Sequence, residues 1–132
     1  MGNLVKTIVL QPGTMSDDAD TVLAMKVPTG YGGVTIIDAS VESDSAGTLA
    51  LYLVNYGTGG TVVGGTIAAN ASGTAKVWVA GAPVSLAITA AQAFVDEGEY
   101  VFLKKVESAA ANDLGDQSSV VINYVDGVIT QG

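Results

Sequence analysis

Glycine and proline punctuate this chain every ~8–12 residues, the spacing of turns in an all-β sandwich or barrel. The marks are Pro12-Gly13, Pro28-Thr29-Gly30, Gly32-Gly33, Ala46-Gly47, Gly57-Thr58-Gly59-Gly60, Gly64-Gly65, Ser72-Gly73, Gly81-Ala82-Pro83, Glu97-Gly98 and Asp126-Gly127. The runs between them are rich in Val, Ile, Thr, Tyr and Leu, which suit a pleated, half-buried surface. None carries helical periodicity. The pattern predicts strands at residues 4–10, 21–27, 34–42, 48–56, 61–68, 74–79, 84–89, 100–107 and 119–125. The alanine-rich stretches 90–95 and 108–114 have room for a single helical turn each. The reading is one domain over residues 1–132: an antiparallel β-sandwich, jelly-roll-like, of about eight or nine strands.

Alternation assigns faces. In residues 34–42, Thr35, Ile37, Ala39 and Val41 are expected on the buried side, with Asp38, Ser40 and Glu42 on the wet side. The run 48–56 has no polar side, because Leu49, Leu51 and Leu53 alternate with Ala50, Tyr52 and Val54. Residues 119–125 behave alike, with Val120, Ile122 and Tyr124 against Val121 and Val125. Such strands are either covered on both sides within the domain or present an outer face to another subunit. The expected core is Ile37, Val41, Leu51, Leu53, Leu86, Ile88, Val101, Leu103 and Ile122.

The chain has no histidine, cysteine or arginine. Most nucleophile–base pairs, transition-metal sites and bidentate phosphate clamps draw on these residues. With thirteen acids, five lysines and a net charge of −8, it would be repelled by nucleic acid and by anionic lipid. Charged residues make up 14% of the chain, against about 25% in an ordinary soluble domain. That scarcity points to surface covered by a neighbour. The absence of cysteine means that no disulfide frames the fold. No apolar stretch reaches the ~18 residues of a membrane-spanning helix. The N-terminal run is too short for a signal peptide, so the expectation is synthesis and assembly in a cytoplasm.

The clusters that resemble chemistry have plainer readings. Asp17-Asp18-Ala19-Asp20 lacks the spacing and the distal Glu of an EF-hand and reads as a solvated loop. Asp96-Glu97-Gly98-Glu99 reads as an exposed turn before a strand, with nothing to place one carboxyl in an apolar cleft. The Gly57–Gly60 and Gly64-Gly65 glycines lack the Lys-Ser/Thr of a phosphate loop. Asn70-Ala71-Ser72 matches a glycosylation sequon without a secretory context. No catalysis, cofactor or metal is expected.

Two stretches carry a family resemblance. Phe94-Val95-Asp96-Glu97-Gly98-Glu99-Tyr100-Val101-Phe102-Leu103-Lys104-Lys105 pairs an acidic–Gly–acidic–aromatic turn with an apolar strand. Ser118-Ser119-Val120-Val121-Ile122-Asn123-Tyr124-Val125-Asp126-Gly127 is a late strand ending in an aromatic and a turn. Both resemble phage virion β-sandwich proteins, head decoration (cement) proteins above all. The resemblance implies a non-enzymatic virion structural role. The partners it implies are the major capsid protein or another virion protein, and further copies of the chain, usually in trimers at local three-fold positions.

Independently, the apolar N-terminal run 1–10 has the character of a strand that adds to a neighbour's sheet. The expected interface residues are Leu4, Val5, Ile8, Leu10, Tyr52, Val54, Tyr56 and Trp78. The alternative is a host-attachment or carbohydrate-binding module, tail or fibre associated. It would use exposed aromatics drawn from Tyr31, Tyr52, Tyr56, Trp78 and Tyr124.

Overall fold

The computed structural model describes residues 4–12, 21–42, 47–58, 65–69, 76–78, 83–106 and 118–127, with side chains described except at 47–50, 76–78 and 106. Within these segments lie ten strands: β1 (Lys6–Leu10), β2 (Thr21–Lys26), β3 (Val34–Glu42), β4 (Gly47–Asn55), β5 (Gly65–Ala69), β6 (Lys76–Trp78), β7 (Val84–Ile88), β8 (Phe94–Val95), β9 (Tyr100–Val106) and β10 (Ser119–Asp126). A single 3-10 turn occupies Ala90–Gln92, inside the alanine-rich stretch where a helical turn was expected. The second such stretch, 108–114, lies outside the described residues, as do 61–64 at the start of the fifth expected strand.

All pairings are antiparallel, and the strand order is β1-β10-β3-β7-β5-β4-β9-β2. The pairing is nested. The first strand joins the last, β2 joins β9, β3 joins β7 and β4 joins β5. A two-stranded ribbon has been rolled up, so that β10 also lies on β3 and β9 on β4. This is the strand order of a jelly roll. The back sheet is β1-β10-β3-β7 and the front sheet is β5-β4-β9-β2. Strand β7 serves both, pairing β3 through Val84, Ser85 and Leu86, and β5 through Ala87 and Ile88. Among the described residues the roll is open only between β1 and β2.

Register explains the core. The row Ile8–Ile122–Ala39–Leu86 crosses the back sheet, and Val22–Leu103–Leu53–Ala68–Ile88 crosses the front. The two rows form one apolar belt, in which Leu53, Leu103 and Ile122 are fully buried. Val41, Leu51, Leu86 and Val101 are buried as expected, while Ile88 packs against the core from a half-buried position.

One assignment is corrected. Ile36, not Ile37, belongs to the core. Asn123 pairs with Asp38 and Tyr124 with Ile36, so Ile37 is the extra residue of a β-bulge. A bulge shifts the side-chain alternation by one, which puts Ile36 and Ala39 on the same side. Similar bulges skip Ala24 in β2 and Ile67 in β5. The sequence reading also omitted β8, whose two residues close over Val34 and Thr35.

Candidate interaction surfaces

Edge strand β1 pairs with the chain's own β10. Ile8 and Leu10 face inward against the core, so these two candidates hold the domain together. Val5 and Val9 point away from it and stand 52% and 66% exposed, with Leu4 at 77%. Among the described residues the far edge of β1 has no strand beside it. Natural edge strands are guarded by proline, bulges or charge. Strand β1 carries no proline and no bulge, and its lone lysine, Lys6, is turned to Asp126 at 2.5 Å. That bond, with the charge of Asp126 beside it, holds the Lys6 ammonium above its ordinary pKa. The other edge, β2, is bulged at Ala24 and ends in the exposed Lys26.

The outer face of the front sheet is aromatic. Tyr52, Val54 and Tyr56 project from β4 and its end, beside Tyr100 and Phe102 of β9. The Tyr56 and Phe102 rings meet at 4.7 Å between centroids in a tilted arrangement. Val54 is 6% exposed, lying in register between Phe102 and Thr66. Tyr52 is half-buried and faces Lys104 across the sheet. Lys26 sits 5.4 Å from the centre of the Tyr100 ring. The fold thus brings Tyr52, Val54 and Tyr56 together and separates them from the β1 candidates. Trp78 falls in β6, whose side chains lie outside the described residues.

The outer face of the back sheet is polar at its centre. Thr7 Oγ1 donates to Asn123 Oδ1 at 2.6 Å, and Asn123 Nδ2 donates to Asp38 Oδ1 at 2.8 Å, forming a ladder across three strands. The row Val9–Val121–Ser40–Ser85 runs beside it.

At the end of the sandwich, the acidic turn is a structural device. Glu97 Oε2 accepts hydrogen bonds from the backbone N–H groups of Gly32, at 3.0 Å, and Gly30. These two donors hold its carboxyl below the ordinary glutamate pKa. Glu99 Oε1 accepts from Asp96 N at 2.8 Å and from the Asn55 side chain at 3.2 Å, and Asn55 Oδ1 accepts from Gly57 N at 2.8 Å. Among the described residues no three carboxylates converge as cation ligands. The Asp17–Asp20 cluster and the Asn70–Ser72 sequon lie outside them.

Sequence reasoning missed Val9, Leu23 and Phe102 as surface groups. The period of two would have found Val9 and Phe102, but not Leu23, because the bulge at Ala24 puts Leu23 and Met25 on opposite sides. Val9 follows Val5 by four, and Phe102 stands between Val101 and Leu103, both already assigned to the core.

The sequence matches no known family and no curated protein. One solved structure, described as "Bacillus endospore appendages form a novel family of disulfide-linked pili", is 11% identical with a TM-score of 0.44. The match covers 96% of this chain and 90% of that one. A likeness this slight carries no function across.

Proposed function

We propose that this chain is a structural protein that works by assembly and performs no catalysis. In its specific form it is a virion decoration protein that docks on a capsid lattice as a homo-oligomer, of which a trimer is the expected state. The observation that carries the reading is the β1 edge: unguarded, bearing the exposed Val5 and Val9 on either side of Thr7, and open among the described residues. Main-chain pairing at such an edge supplies affinity, and burying Val5 and Val9 adds about 1 kcal/mol each. The scarcity of charge and the family resemblance support the same reading.

The test leaves the core intact. Deleting residues 1–10 would remove Ile8 and Leu10 from the domain and confound folding with docking. Val5→Asp with Val9→Asp charges the edge while leaving the inward side chains in place. The double variant should keep the wild-type circular dichroism and bind undecorated capsids at least ~10-fold more weakly, the effect of about 1.4 kcal/mol. Unchanged capsid binding would remove the edge from the account. A strict monomer that binds glycans and ignores capsids would replace it with the attachment-module reading.

A further inference from the structure

Among the described strand residues, the two outer faces of the sandwich carry opposite charge. The front face bears Lys26 and Lys104, two of only five lysines in a chain of net charge −8. Among the described strand residues it bears no carboxylate. The back face bears Asp38 and Glu42, both exposed, and no described lysine in outward register. The apolar groups are also divided. Aromatic rings and Leu23 stand between the front lysines, whereas the back face offers the flatter Val9–Val121–Ser40–Ser85 row.

We infer that the aromatic, lysine-bearing front face of one copy docks on the acidic back face of a second copy. The inference rests on the homo-oligomer part of the proposed function and not on the β1 edge. A front-to-front or back-to-back dimer would bring like charges together, which costs affinity. Front-to-back contact sets Lys26 and Lys104 against Asp38 and Glu42, and the Leu23–Phe102 strip against the valine–serine row. Such a contact is heterologous: it closes into a ring when each copy is rotated, and runs on as a fibre when it is not. A trimer is one closed solution. Because the charge pairs are near the surface, association weakens as salt screens them.

A heterologous contact has a distinctive test. Lys26→Glu with Lys104→Glu spoils the front and leaves the back intact. Glu42→Lys with Ser85→Lys spoils the back and keeps the bond from Asn123 to Asp38. Sedimentation velocity on the full chain should show wild-type oligomers that dissociate with rising salt. Each variant alone, with wild-type circular dichroism, should associate at least ~10-fold more weakly. An equimolar mixture should recover association, because the intact front of one variant docks on the intact back of the other and the Glu-bearing front meets the Lys-bearing back. A mixture that stays monomeric, variants that assemble like wild type, or a wild-type chain that is monomeric throughout would each overturn the inference. Val5→Asp alone charges the β1 edge outside the Val9–Val121–Ser40–Ser85 row and should assemble like wild type while binding capsids more weakly, so failure of the edge reading and failure of this one are told apart.

Discussion

Replacing Gly33 with alanine isolates the contact that locks the acidic turn onto the back sheet. Gly33 has a φ of +81°, and Gly32 beside it has +77°. Both substitutions therefore incur the left-handed penalty, about 1–2 kcal/mol for a residue with a Cβ. They differ in space. A Cβ on Gly32 meets nothing within 4 Å, whereas one on Gly33 would lie 2.5 Å from Phe94 Cζ and 2.7 Å from the Val95 carbonyl oxygen. The ring can turn away, but the carbonyl belongs to β8, which is paired to β3 through Val34 and Val95. Val95 is fully buried, so relief means lifting β8 from the core edge. Losing one or two backbone hydrogen bonds there costs about 1 kcal/mol each. Gly33→Ala should destabilise by about 2–4 kcal/mol and Gly32→Ala by about 1–2. Urea denaturation at neutral pH measures both. A difference between the two below ~0.5 kcal/mol, the scale of ordinary surface changes, would refute the reasoning about β8.

Three further outcomes are expected. Ile36→Ala should cost about 2–5 kcal/mol and Ile37→Ala under ~1, the bulge having exchanged their faces; equal losses in denaturation would contradict the register. Leu103→Ala, which removes a fully buried side chain from the centre of the front sheet, should also cost about 2–5 kcal/mol. The Glu97 carboxyl is held below its ordinary pKa by Gly32 and Gly30, so its contribution is present above the unfolded pKa, about 4.3, and is lost as pH falls through the lower folded value. Glu97→Gln should therefore lower the melting temperature at pH 7 and shrink the gap to wild type at acid pH; a gap independent of pH would deny the carboxylate its role.

Much of the architecture is legible in residue order. Turn residues at regular spacing delimit the strands, because Gly and Pro are where a pleated run must end. Strands β1, β3, β7, β9 and β10 fall within two residues of their expected limits. The jelly-roll order is harder to read, since which strand lies beside which is decided by rolling the whole ribbon. Bulges are harder still. Ile36 and Ile37 are identical residues, so nothing in the pattern marks which one the ladder skips. The interface candidates were sorted by hydrophobicity alone, which cannot tell Ile8, turned to the core, from Val9, turned outward. Register against β10 makes that distinction. The charge asymmetry of the two faces is invisible in sequence, where Lys26 and Lys104 stand far apart.

The most direct test of assembly through β1 is hydrogen exchange of its backbone amides, Lys6 to Leu10, in the isolated chain and in the chain bound to undecorated capsids. In the isolated chain, amides on the free edge of β1 should exchange rapidly, while those paired to β10 are protected. On docking, the account predicts that the free-edge amides slow by at least ~10-fold, the signature of new main-chain bonds. Unchanged exchange at β1 in a chain that is demonstrably bound would contradict it.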